Sequence, residues 1–541
     1  MANSYPGVYI TEGPFSTTTP VGPTVTPTSF LGTVARGPEV PTRIDSWNQY
    51  KTLYGDLTNS SHLGYAIYHF FANGGRTAYI NRVTASAAAR AKSAGVAGSI
   101  NGSAVNTAAG GLFEIRAKSK GTWANWVAAG TSSAEKGLKV YLLKGSRDGT
   151  LAGGQPLTFT IAIYFNGAEV ERWSEISLDP DSPQYAPTIV NNYSNYVDLV
   201  FGSSLGVNPA LTAGTTYVIT GLDTAVSIST AVLYKIGDAT SGSDTDGTDG
   251  SIADADWLAA LNRLDLVPGS LLINLVGQTS ATLVNMATTY AEARGNGFVI
   301  IDPSPAQTLT VGITGLTDTY NKSSYGAVYY PMLKMPDPAR SGAASLRDTF
   351  PGGAIAGLFS RVEQERTVAK APAGYGYDIR NVYGLTTTFT ETEIGLLYDA
   401  HVNTLKSIPG GGVISNGART LKRTDITKYV PVRRSLNYIK ENVESIANFS
   451  IFEPNGERVW TDIHTRISRF LSDFWGSGGL KGRNATEAFY ITCDASNNPP
   501  FAVENGELHI EVGVALQSPT EFIIINITQF AGSENTATET L

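Results

Sequence analysis

One cysteine, five histidines and no long apolar run occur in 541 residues. The lone Cys493 cannot close an internal disulfide, and its place beside Phe489-Tyr490-Ile491 predicts a buried thiol. His62, His69, His401, His464 and His509 are scattered and form no His-Glu-x-x-His pair, so neither a zinc site nor a base for a serine nucleophile is indicated. No apolar stretch reaches the roughly 18 residues of a membrane span, and no charged N-terminal segment precedes an apolar core. Membrane insertion is therefore not expected, and the chain is predicted to be made and assembled in the cytoplasm. Charge is scarce as well, at 16% of residues with a net −8. No basic cluster is longer than Arg433-Arg434, which excludes a nucleic-acid footprint and gives no reason to expect a membrane-surface partner. A phosphate-cradling G-x-x-x-x-G-K-[ST] loop is missing, which removes a self-contained ATP motor.

Glycine is abundant, with 57 residues, and together with the length it predicts two to four units in a β-rich, loop-rich chain. A strand is read at residues 29–34, a helix at 63–72 stopped by Gly74-Gly75, and a second strand at 77–83. An Ala/Ser/Gly-rich run at 85–111 reads as a hinge or flexible link. Short strands follow, at 139–143, 157–165 and 217–220, and predict an inserted β domain. A second composition change at 241–250 precedes a helix-strand alternation: helix 257–264, strand 270–276, helix 280–294, strand 297–302, helix 391–405. This spacing suits a mostly parallel sheet.

Two amphipathic helices close the reading. The first carries Leu436, Ile439, Val443 and Ile446 on one face, the second Val459, Trp460, Ile463, Ile467, Phe470, Leu471 and Phe474. Asn455 is the expected N-cap of the second helix. Its outer side carries Glu457, Arg458, Asp462, Arg466, Arg469 and Asp473, by default a solvated face and alternatively a docking surface. In Leu508-His509-Ile510-Glu511-Val512-Gly513-Val514 the alternation predicts a half-buried strand.

Both ends carry isolated strand-like segments. Val8, Tyr9, Ile10 and Thr11 are separated from the body by Pro14, Pro20, Pro23 and Pro27, while Phe522, Ile523, Ile524, Ile525 and Ile527 precede a polar tail. Apolar strands on loose tethers predict β-strand exchange between neighbours.

Gly202-Ser203-Ser204-Leu205-Gly206 matches a nucleophile elbow, but Pro209 and its neighbours offer no helix behind it. Asp244, Asp246 and Asp249 lack the spacing and closing Glu of a calcium loop, and read as a solvated linker. No catalytic, cofactor-binding or metal residue is assigned. A serine hydrolase on Ser204, or a glycan-binding adhesin using Trp123, Trp126 and Trp173 as exposed aromatics, remain the alternatives.

Three ordered blocks resemble the tail sheath proteins of contractile phage tails and related injection particles. The first is Pro6-Gly7-Val8-Tyr9-Ile10, Phe30-Leu31-Gly32, Arg36-Gly37-Pro38 and the stretch from Phe70 through Gly74-Gly75 to Tyr79. The second is Gly247-Thr248-Asp249-Gly250, Ala253-Asp254-Ala255-Asp256, Tyr329-Tyr330-Pro331 and Asp337-Pro338. The third is Arg419-Thr420-Leu421, Tyr429 to Arg434, Asn437-Tyr438-Ile439, Phe452-Glu453-Pro454-Asn455, Cys493-Asp494 and Asn497-Asn498-Pro499-Pro500.

The resemblance implies a structural subunit, not an enzyme and without cofactor, that forms a helical homo-oligomer. The sheath encloses an inner tail tube protein, meets baseplate and terminator or cap proteins at its ends, and contracts to drive the tube through a target envelope. It also implies that both arms complete sheets in neighbours and that the helix beginning at Glu457 faces the tube. The combined expectation is a mixed α+β and α/β, multi-domain chain, whose discontinuous α/β core is built from N- and C-terminal parts. Its predicted divisions are an arm at 1–24, core at 25–88, an inserted β-rich outer domain at 89–245, core at 246–370, a C-terminal core at 371–518, and an arm and tail at 519–541.

Overall fold

Thr28–Gly32 is buried along its whole length and lies within a nine-stranded sheet of the computed structural model. The structure describes residues 25–59, 61–100, 103–104, 111–130, 134–146, 158–178, 182–201, 217–238, 244–304, 317–340, 345–410, 412–451 and 453–521. Across the sheet the order is Asp378–Ile379, Val413–Ser415, Val402–Ser407, Gly326–Tyr330, Gly297–Ile301, Leu271–Leu275, Thr28–Gly32, Ala78–Arg82 and Thr42–Ile44. The six strands from Val402–Ser407 to Ala78–Arg82 pair in parallel, and antiparallel strands finish both edges.

Successive side chains leave a strand on opposite faces, so continuous apolar strands need cover on both sides. Phe30, Leu272, Phe298, Ile300 and Tyr329 pack toward His62–Ala72 and Gly352–Glu365. Leu31, Leu271, Ile273, Val299 and Val328 join the opposite core with Asp254–Asn262, Ala281–Arg294 and Glu391–Asp399. His62–Ala72 ends where Gly74 takes φ +99, a left-handed value only glycine adopts freely.

Residues between the two halves of this sheet build separate antiparallel sheets around their own apolar core. One has the order Val232–Lys235, Leu138–Lys144, Phe159–Phe165, Ala168–Ile176. Its last hairpin turns at Asn166 and Gly167, both at positive φ, as a tight two-residue turn requires.

Several expectations need correction. Residues 85–100 are not a free link. Ala89 and Thr248 exchange backbone hydrogen bonds of 3.0 and 3.1 Å, and Lys92 and Thr245 exchange bonds of 2.9 and 3.1 Å. The two crossings between the β sheets and the central sheet are thus zipped together. The acidic stretch is anchored with them: Asp244 accepts from the Ala94 amide, and Asp249 accepts from Thr122 N and Oγ1 at 3.0 and 2.7 Å.

The helix expected over 391–405 stops at Asp399. His401 turns the backbone at φ +60, and Val402–Ser407 becomes a sheet strand whose Asn403 Nδ2 donates to the Val328 carbonyl at 3.1 Å. The mixed sequence Val402-Asn403-Thr404-Leu405 has no clear period of its own, and pairing with Gly326–Tyr330 decides it. Asn455 is not the N-cap either. Gly456 holds that place, while Asn455 accepts from Trp460 Nε1 at 2.8 Å and donates to the Glu507 carbonyl.

Beyond the sheet, Val430–Ala447 and Glu457–Gly476 pack on each other and beneath a two-stranded antiparallel sheet, Phe489–Thr492 with Glu511–Val514. Ile463, Ile467 and Leu471 are fully buried, each contributing roughly 1.5–3 kcal/mol of apolar burial. Cys493 is buried in the same core, as its neighbourhood predicted.

Candidate functional site

Open parallel sheets bind ligands at the carboxyl ends of their strands, often with an anion at a helix N-terminus. Here that position is filled by the protein itself. Asp302, just past Gly297–Ile301, accepts from the Gly352 amide at 2.8 Å at the start of Gly352–Glu365, and from Asn274 Nδ2 at 3.0 Å. A Cβ on Gly352 would lie 2.3 Å from Asn274 Nδ2 and 2.8 Å from the carboxylate, so there is no room for a phosphate. Burial raises the Asp302 carboxyl to about 6, against the hydrogen bonds from Asn274, Gly352 and Gly277.

Among the described residues no group of three His, Cys, Asp or Glu gathers as a metal site. His69 is buried, and His401 Nδ1 lies 2.8 Å from the Thr420 carbonyl. His62 is exposed, and so is His509, beside Glu507. Residues 202–206, with Ser204, lie outside the described residues. The tryptophans expected to be exposed are engaged. Trp123 packs on Phe165 and donates to the Ser119 carbonyl, Trp126 lies under Lys235 at 3.6 Å, and Trp173 packs against the core of the β sheets.

Two carboxylates tie together segments remote in sequence. Thr26 donates through N and Oγ1 to Glu363, at 2.8 and 3.0 Å. Glu363 sits near the end of Gly352–Glu365 and also receives Arg434 from Val430–Ala447, both side chains being only 4% exposed. Burial pushes the Glu363 carboxyl up, while the Arg434 charge and the Thr26 bonds pull it back. At the other end, Arg419 Nε and the second guanidinium nitrogen Nη2 reach the two carboxylate oxygens of Glu521 at 3.1 and 2.8 Å. The guanidinium stacks on the Tyr398 ring at 3.5 Å. Burial alone would raise Glu521, but the Arg419 hydrogen bonds and charge hold it below the usual carboxylate range. An adjoining groove of about 650 Å³ is lined by Arg366, Lys370, Tyr375, Ser415 and residues 517–521.

Val8, Tyr9, Ile10 and Thr11, and Phe522, Ile523, Ile524, Ile525 and Ile527, lie outside the described residues. The sheet of Phe489–Thr492 and Glu511–Val514 has no third strand among the described residues. Phe489, Ile491, Val512 and Val514 face the helices below, while Tyr490 is 57% exposed and its hydroxyl donates to Glu511 at 2.9 Å. A two-strand sheet is the least stable kind, and its open edges are free to accept further strands.

Glu457–Gly476 presents Glu457, Arg458, Arg466, Arg469 and Asp473 to solvent, with Asp462 half-buried. Arg466 Nε pairs with Asp462 at 3.1 Å. The six expected charges therefore share the helix's outer side, opposite Trp460, Ile463, Ile467 and Leu471. Sequence reasoning missed Glu363, Asp302 and Thr26. No local signal separates Glu363 from Glu365, two residues further on.

Residues 423–530 match the family described as the phage tail sheath C-terminal domain. Tail sheath proteins of Vibrio phage KVP40 and Enterobacteria phage T4 are 25% and 24% identical over 32% and 33% of this chain. The matched stretch spans about a quarter of each curated relative's length, 25% and 26%. Among solved structures, a sheath tail protein from Listeria innocua aligns with TM-score 0.57 at 11% identity, over 91% of this chain and 95% of its own. A contracted-state sheath complex of the extracellular contractile injection system PVC aligns with TM-score 0.54 at 18% identity, over 98% and 99%. The chain thus carries the sheath C-terminal domain and shares the mixed α/β, multi-sheet fold of sheath proteins.

Proposed function

We propose that this chain is the structural subunit of a contractile sheath, polymerising helically around an inner tube and shortening to drive that tube through an envelope. The observation that carries the reading is the sheath C-terminal domain at 423–530, which contains an open-edged two-strand sheet on a rigid helical base. In this reading the segments around Val8 to Thr11 and Phe522 to Ile527 are arms, and strands from neighbouring copies extend the Phe489–Thr492 and Glu511–Val514 sheet. An added strand making about four backbone hydrogen bonds contributes roughly 2–6 kcal/mol, at 0.5–1.5 each. One arm is a weak tie. Several at once hold a subunit firmly while its body still rotates, because detachment needs every tie to fail together.

The domain division follows the same reading. Residues 89–245 form an outer insert on a core made of 25–88 and 246–370, with 371–518 as the C-terminal core between the arms. The helix Glu457–Gly476 faces the tube, its mixed charges setting register. Baseplate and cap proteins hold the two ends of the sheath, and assembly takes place in the bacterial cytoplasm. The test is truncation: deleting residues 1–11, or ending the chain after Thr520, leaves a folded subunit unable to form tubes. Normal sheaths from either truncation in electron micrographs sink the proposal.

A further inference from the structure

The two ends of the described chain are fastened by the same kind of device and to neighbouring parts of one element. At the N-terminal end, both polar groups of Thr26 are held by the Glu363 carboxylate, which is itself held by Arg434. At the C-terminal end, Glu521 is gripped by the fork of Arg419, with both side chains only 13–14% exposed. Arg419 and Arg434 belong to a single closed segment. Arg419 and Tyr429 face each other in an antiparallel bridge, the Thr420 amide donates to Lys428 O at 2.8 Å, and the Val430 amide donates to Ala418 O at 2.9 Å. Tyr429 precedes the first turn of the helix that carries Arg434, and its hydroxyl lies 3.5 Å from Glu521 Oε2. Asn403 ties the segment to the sheet, accepting from the Arg419 amide at 2.7 Å and donating to its carbonyl at 2.8 Å.

We propose that residues 418–434 form a tension bridge between the chain's two ends. A pull on the segment before Thr26 passes through Glu363 and Arg434 to this element, and leaves through Arg419 to Glu521. This path runs beside the central sheet, to which Asn403 and the Leu421 amide, donating to the Gly326 carbonyl, also tie the bridge. Two features fit this role better than simple stabilisation. Each end is held by paired hydrogen bonds to one carboxylate, so both bonds of a pair must break together. Thr26 lies just before the sheet strand Thr28–Gly32, and Glu521 lies just beyond Leu516, which pairs with Leu480. A subunit tethered by its ends is then held by its tethers without being pulled open. This inference rests on the reading of the ends as inter-subunit arms, but its central claim concerns one chain.

The test pulls the full-length chain by its two termini in a force-spectroscopy instrument. Wild type should open in one high-force event. Arg419→Gln should add an early low-force step in which the C-terminal end is released back to about Leu516, where pairing with Leu480 holds it, while Arg419→Lys, keeping the charge without the fork, gives an intermediate force. Thr26→Val, which removes only the Oγ1 bond, should weaken the N-terminal end without touching the buried ion pair. Thermal unfolding of these variants should stay close to wild type, separating an anchoring role from a stabilising one. Unchanged first-event forces in both Arg419→Gln and Thr26→Val overturn the bridge. Lowered first-event forces in Arg419→Gln and Thr26→Val, beside a wild type that opens in one event but never forms tubes, support the bridge and remove the sheath reading instead, so the two failures are distinct.

Discussion

Arg434 and Glu363 form an ion pair in the interior, with both side chains 4% exposed and the Arg434 guanidinium 4.6 Å from the centre of the Phe359 ring. The pair joins Val430–Ala447, in the sheath C-terminal domain, to Gly352–Glu365, which packs on the central sheet. It is therefore one of the points, with Arg419–Glu521 and Asn437 on the Gly297 carbonyl, at which the matched residues are held to the rest of the chain.

Replacing one partner leaves a charge in a site it cannot leave. Glu363→Gln is expected to cost about 3–5 kcal/mol, whereas Glu363→Leu combined with Arg434→Met should be much milder. Denaturant unfolding of the two singles and the double gives the coupling directly. A double variant as damaged as the singles would contradict this account.

Helix His62–Ala72 and helix Gly352–Glu365 meet at glycine. A Cβ on Gly353 would lie 2.2 Å from the Ala66 carbonyl oxygen, a backbone atom that cannot rotate away. Gly353→Ala should therefore destabilise by at least about 1–3 kcal/mol through overpacking. Gly395, within Glu391–Asp399, has nothing within 4 Å of its added Cβ. Gly395→Ala should stabilise by about 0.4–1 kcal/mol, the opposite sign in the same melting assay.

Two buried groups give opposed pH dependences. Asp302, raised by burial to about 6, binds its proton more tightly when folded, so its contribution is full below the ordinary value near 4 and is lost as pH rises through 6. His69 is lowered by burial to about 4, against the Asp337 charge, and its ring nitrogens have no hydrogen-bond partner among the described residues. Its contribution is full above the ordinary value of about 6.5 and is lost as pH falls toward 4. Each effect is on the order of 2–3 kcal/mol, so they largely cancel in the native protein. Asp302→Asn should unmask a loss of stability on acidification from pH 7 to 4.5, and His69→Phe a gain. Urea midpoints at the two pH values measure both.

Reversing Arg466 and Arg469 to Glu changes only exposed positions of Glu457–Gly476. The fold should persist, with a melting temperature near that of the parent. Co-assembly with a tube protein should fail if this helix is the tube-facing surface. Unchanged co-assembly would remove the helix from that role.

Four of the nine strands of the central sheet, Thr28–Gly32, Ala78–Arg82, Leu271–Leu275 and Gly297–Ile301, were legible because they are short and mostly apolar. Leu271–Leu275, Gly297–Ile301 and Ala281–Arg294 lie within a residue or so of where their patterns place them. Where a segment mixes polar and apolar residues without a clear period, pattern reading failed: the first residues of Val402–Ser407 were taken for the end of a helix. Residues 85–100 and 244–250 read as a linker because Ala, Ser, Gly and Asp are what linkers are made of. Their pairing with each other depends on two crossings about 150 residues apart, beyond any local window.

The sequence alone determined that the chain has two amphipathic helices and an alternating strand between residues 430 and 514. These are properties of short windows and composition, carried by side-chain period and by residue types whose chemistry is local. Tertiary structure decided which polar groups matter. Glu363 finds Arg434 across 71 positions, Arg419 finds Glu521 across 102, and Asp302 fills the helix N-terminus at Gly352 across 50. Nothing in the local sequence marks such partners, because a charged side chain gains its strongest bonds only where burial removes water and the fold brings an opposite group within reach.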